Sequence, residues 1–134
     1  MRREIVLLAA LAATVLLASS SIAAEKRGGE KPWAGTIPVT GKHSVAALAK
    51  MARVSMADAE KTALSAVEAK DADKSVSSRE IEVEHGFLVY SFDVKVAGQK
   101  GIEEVIVDAG DGKVLAREHE SPESEARDKR AKKP

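Results

Sequence analysis

Cysteine is absent from this 134-residue chain. That excludes disulfides, thiolate zinc sites, cysteine nucleophiles and cysteine-linked lipid anchors. A surplus of charge is lacking too: 21 Lys and Arg balance 21 Asp and Glu, so the net formal charge is zero. A protein that holds nucleic acid by bulk charge needs a basic surplus, and none is present. Aromatic residues are scarce, with one Trp, one Tyr and two Phe, and all but Trp33 fall between Glu84 and Lys113. Beyond Ala24 no apolar run approaches the roughly 20 residues needed to span a bilayer.

The usual signatures of chemistry are missing as well. His43, His85 and His119 show no i, i+2 or i, i+4 pairing, and no His-Glu-x-x-His occurs. They read as exposed turn or strand residues, the alternative being a weak surface site for zinc or copper, both of which imidazole suits. Asp108 to Gly112 superficially resembles a calcium loop but lacks the twelve-residue frame and its terminal Glu. A hairpin turn explains those residues more simply. Glu80, Glu82, Glu84, Glu103 and Glu104 are candidate paired carboxylates, but acid–base work needs a pocket that separates two pKa values. Alternating glutamates on an outer strand face are expected to be solvated and to discourage edge-to-edge aggregation. No glycine-rich phosphate loop joins a strand to a helix. No catalytic, cofactor-binding or metal-ligating residue is therefore assigned, and no cofactor is expected.

What the chain does contain falls into four parts. Met1 to Ala24 has a positive start at Arg2 and Arg3, an apolar run from Ile5 to Ala18, and small residues around Ser21 to Ala24. This reads as a cleavable signal peptide, the alternative being a retained anchor. Residues 25–43 form a linker rich in charge, Gly and Pro, expected to be disordered or extended. Its lone Trp33 is either lightly docked or an anchor for a partner. Residues 44–120 carry the periodic pattern of a folded domain, and residues 121–134 form a charged tail expected to be disordered. The sharper reading of that tail is a contact to anionic envelope polymers through Lys129, Arg130, Lys132 and Lys133.

Within the domain, Ser44 to Arg53 contains good helix formers behind a plausible Ser44 N-cap. Ser55 followed by Asp58 marks a second helix start, a capping box with Asp in place of Glu. Met56, Ala59, Ala63, Ala66 and Val67 then recur at helical spacing. So small a stripe lets a helix lie close on a sheet. The helix should fray across Lys70 to Lys74. Arg79 to Glu84 alternates, with Ile81 and Val83 on one face and the glutamates on the other. Leu88, Tyr90, Phe92, Val94 and Val96 share one face of the next strand, and Val105, Val107 and Ala109 continue the alternation after the Gly98 to Gly101 turn. His85-Gly86 and the Asp-Gly of Asp108 to Lys113 supply the other turns. Val114 to Glu118 is the last strand. The fold class is α+β: an N-terminal helix or helix pair packed on a four-stranded antiparallel meander. Without disulfides the core alone must hold it; ordering costs about 1–2 kcal/mol per residue and each buried Leu, Val or Phe returns about 1.5–3 kcal/mol.

Tyr90, Phe92 and Val94, then Val105, Val107, Asp108, Ala109, Gly112 and Val114, follow a "Y-x-F-x-V" strand and a "V-x-V-D-A" hairpin in order. Together with the alanine-rich helix they resemble the PepSY domain, over about Val54 to Glu120. Two positions depart from that pattern: Glu68-Ala69-Lys70 stands where a Pro-Gly usually ends the helix, and Asp111 replaces a Thr. The resemblance implies a small exported, periplasmic or secreted, non-catalytic binding module. It implies regulation or inhibition of an extracytoplasmic peptidase, or contact with another envelope protein. The balanced charge and the lack of a second apolar run imply no nucleic-acid partner and no membrane span after signal cleavage. The alternative is a periplasmic protein that binds a small ligand or metal.

Overall fold

The computed structural model describes residues 31–131. The expected signal peptide and the start of the linker lie outside these residues. Two short helices come first, α1 (Val45–Met51) and α2 (Met56–Ala66), followed by a single 3-10 turn at Asp71–Asp73. Four strands follow, β1 (Lys74–Glu84), β2 (Phe87–Val96), β3 (Ile102–Asp108) and β4 (Val114–Glu120), and then a helix α3 (Pro122–Ala131). The strands pair antiparallel in sequence order, β1-β2-β3-β4. This is the α+β meander that the alternation predicts.

Both helix starts form as expected. The Ser44 hydroxyl accepts from Ala47 N–H and the Ser55 hydroxyl accepts from Asp58 N–H. The box at α2 closes differently from the usual form: the Ser55 hydroxyl donates to the Asp58 carboxylate at 2.9 Å. Ala59 and Ala63 are fully buried, with Val67 behind them, against a cluster that includes Leu88, Tyr90, Phe92, Val94, Val105 and Val107. Small side chains at the contact bring the helix axis close to the strands. The Tyr90 hydroxyl crosses the core edge and donates to Val54 O at 2.7 Å, so the junction between α1 and α2 is tied to β2. Arg79 Nε meets Glu60 Oε2 at 3.0 Å and ties α2 to the edge strand β1.

Several expectations need correction. The first strand begins at Lys74, five residues before the alternation becomes visible at Arg79. A β-bulge between Val76 and Ser78 shifts the register there and breaks the strict period of two. On β1, Ile81 is buried as expected, but Val83 is 37% exposed while Glu82 and Glu84 are half-buried, so the outer glutamates are not simply solvated. The linker is not disordered where it is described: Ile37 and Val39 are buried in the core cluster. The expected tail is helical over Pro122–Ala131, while residues 132–134, with Lys132 and Lys133, lie outside the described residues. Ser121 caps α3 by accepting from Ser124 N–H, Pro122 takes the first helical position, and Glu123 near the start with Arg127 and Arg130 near the end suit the helix dipole.

The turn between β1 and β2 holds His85 and Gly86 at φ +50° and +83°. Two positive φ values in a two-residue loop match the right-handed twist of the flanking strands. Histidine tolerates that region better than most residues do. The helix seat generates a direct test. Ala63→Leu should overpack it and destabilise by about 1–3 kcal/mol in urea unfolding, whereas Ala57→Leu on the exposed side of α2 should be near neutral.

Candidate functional site

Three polar features assemble around the sheet. The first is at the C-terminal end of α2. Lys74, whose side chain is only 6% exposed, donates to Leu64 O at 2.7 Å and Val67 O at 3.3 Å and pairs with Asp71 at 3.2 Å. Arg117 from the opposite edge of the sheet donates to Ala66 O. Two cations, one from β1 and one from β4, thus satisfy the last carbonyls of a helix that lacks a terminal glycine.

The second feature is a seat beside the start of β2. Beyond Asp108 the third strand turns away, and the segment Thr36–Val39 lies where β3 would have continued. Leu88 N–H donates to Ile37 O at 2.9 Å, and Val39 N–H donates to Gly86 O at 2.8 Å, forming an antiparallel bridge at Pro38 and Phe87. Asp108 is fully buried. Its carboxylate accepts from Thr36 N–H at 2.8 Å, from the Thr36 hydroxyl at 3.0 Å and from Gly110 N–H at 2.7 Å. Three donors are what a buried carboxylate requires to be tolerated. A Cβ at Gly110 would collide with the Thr36 hydroxyl, so glycine is needed for the threonine to reach in. Ahead of this segment Trp33 stacks on His85, with ring centroids 4.7 Å apart and an interplanar angle of 12°.

Residues 53–118 match the family described as "Peptidase propeptide and YPEB domain", PepSY. The matched span runs from the α1–α2 junction into β4, so the α2-and-sheet core is similar to a PepSY domain. No curated protein and no solved structure matches the chain. The PepSY span contains Asp108 and Gly86 to Leu88 but not Thr36–Val39, so the domain's seat is filled from outside the matched residues.

The third feature lies on the sheet face away from α2. Register places Asp93, Glu104 and Glu118 directly opposite one another across β2, β3 and β4. Like charges so placed repel. Ser91 donates to Glu104 at 3.3 Å. Burial first, then the charges of Glu120, Asp93 and Glu84, push the Glu104 carboxyl up to about 7. Its neighbour Glu103 points to the opposite, helix-side face and bonds His119 Nδ1 at 2.9 Å. The glutamates that sequence adjacency suggested as a pair are therefore on opposite sides of the sheet.

The histidines do not converge. His43 bonds Thr40 O, His85 sits in the first hairpin turn, and His119 lies on β4. Among the described residues no group of three or more His, Asp or Glu is placed to hold a metal ion. A groove of about 460 Å³ between the α1–α2 junction and Ile81 has a mixed polar and apolar lining, and its Tyr90 hydroxyl is already committed to Val54 O. Asp108 was readable in sequence only as a turn residue. The hint to its second role was the Ile37-x-Val39 alternation after Thr36, too short to stand out in a linker.

Glu104 generates a pH prediction. Its folded pKa lies above the ordinary 4.5, so its favourable contribution is complete below about pH 4.5 and is lost as pH rises through 7. Urea unfolding of the wild type should therefore show lower stability at pH 8 than at pH 5. Glu104→Gln should reduce that difference by about 1 kcal/mol, a value discounted for solvent screening at a half-exposed site.

Proposed function

We propose that this protein is an exported, non-catalytic binding module that regulates or inhibits a peptidase outside the cytoplasm. The observation that carries this reading is the PepSY match over the folded domain, in a family described by its occurrence in peptidase propeptides. Export is supported by the composition of Met1 to Ala24. No helix among the described residues is long and apolar enough to cross a membrane. Non-catalytic action is supported by how the polar groups are used. Asp108, Lys74, Arg117 and the Tyr90 hydroxyl all hold backbone groups of the fold, which leaves them engaged in structure and unavailable as acid, base or nucleophile.

A module of this kind acts by covering a partner's surface or by contributing backbone to it. The test is a protease assay on the envelope fraction of the source cells, with and without the purified protein, combined with crosslinking and recovery of the partner. The expected result is a peptidase recovered with the protein and slowed at stoichiometric addition. Recovery of no peptidase together with unchanged proteolysis would overturn the reading.

A further inference from the structure

We propose that the seat beside the start of β2 is a binding site for an extended peptide, filled in the resting protein by its own Thr36–Val39. The ligand class is a segment of a partner protein with Ser or Thr followed by aliphatic residues at the next position and two beyond it. The inference deepens the function proposed above and rests on it for the partner's nature.

The seat has the parts of a strand-addition site. Leu88 N–H and Gly86 O offer one donor and one acceptor, which any extended backbone can meet. The buried Asp108 carboxylate selects the first residue, because it takes both a main-chain N–H and a hydroxyl from Thr36. Gly110 leaves room for that hydroxyl and would not leave room beside a side chain of its own. The side chains of Ile37 and Val39 enter the core, while Pro38 between them stays exposed, so two alternate positions are read and the middle one is not.

The occupant, like Leu48 of α1, is a core segment outside the matched residues, and it joins α1 through the exposed stretch 40–44, in which Gly41 takes φ +79°. A swing at that stretch would open the seat without breaking a pairing among the four strands. With the segment withdrawn, the N–H of Leu88 would lose its acceptor and the carboxylate of Asp108 would keep Gly110 N–H but lose both donors from Thr36. That demand for a partner is what makes the seat adhesive. The short tether keeps the internal segment at a millimolar-scale effective concentration, so the resting form is closed to weak competitors.

The test uses the full chain and a blocked, fluorescently labelled peptide WAGTIPVTG, which repeats residues 33–41. In the double variant Thr36→Ala, Ile37→Asp the internal segment is a poor occupant. The variant should bind the peptide at least about tenfold more tightly than the wild type does, because the tethered competitor has been removed. A control peptide with Asp at the Ile and Val positions should not bind. Adding Asp108→Ala to the double variant should abolish binding of the first peptide. Should the double variant fail to fold, the peptide is added at millimolar concentration to the isotopically labelled wild-type chain, where amide shifts at Leu88 and Val39 are expected. Equal binding of both peptides, no binding to a folded double variant, or no shift at Leu88 would each overturn the proposal. Peptide binding involves no peptidase, so this result stands or falls separately from the protease assay.

Discussion

The structure depends on the backbone pairing of its second strand along both edges. Its residues Phe87 to Val96 are matched on one side by β1, from Glu84 at one end to Lys74 at the other. On the other side β3 pairs only with Val89 to Val94, and Ala109 N–H adds a bond to Leu88 O. Leu88 is fully buried, so its N–H cannot turn to water and must find a protein acceptor. Ile37 O is that acceptor. A residue from the expected linker thus completes the central strand of the sheet, and Asp108 fixes its position by binding Thr36.

Once the second strand is held on both edges, the packing above it follows. Its apolar side chains present a continuous surface to which only small residues can bring a helix close, and Ala59 and Ala63 provide them. The start of that helix is anchored through Tyr90 to Val54 and through Arg53 and Val54 N–H to Ala109 O. Its end is anchored by Lys74 and Arg117. The helix is therefore pinned at both ends by groups from the sheet. The cations do the work at its exit that a glycine cap does elsewhere.

Much of this was legible in the chain. The alternation from Leu88 to Val96, the Ser55 and Asp58 start and the Asp-Gly turn each act within a few residues, so their physics shows as local pattern. The early start of β1 was hidden because Lys74 reads as a solvated charge. Its ammonium is in fact spent on carbonyls contributed by the preceding helix. The half-burial of Glu104 was hidden because it depends on which strands lie beside it, and adjacent glutamates look alike until register sends them to opposite faces. The docking of Thr36 spans 72 positions to Asp108, and no short-range pattern encodes it. The helical tail did carry a signal, Ser121 followed by Pro122, that its strongly charged composition masked.

The functional reading and the architecture meet at the same place. Asp108, Lys74, Arg117 and Tyr90 all use their polar groups to hold backbone, and at Asp108 part of the backbone held comes from outside the matched residues. That place is beside Leu88. Native-state amide hydrogen exchange tests this most directly. The account predicts that Leu88 and Val39 are protected to a degree comparable with the core amide of Phe92, since all belong to one paired strand system. Val39 and Leu88 exchanging at the rate of an unstructured chain, while Phe92 stays protected, would contradict it.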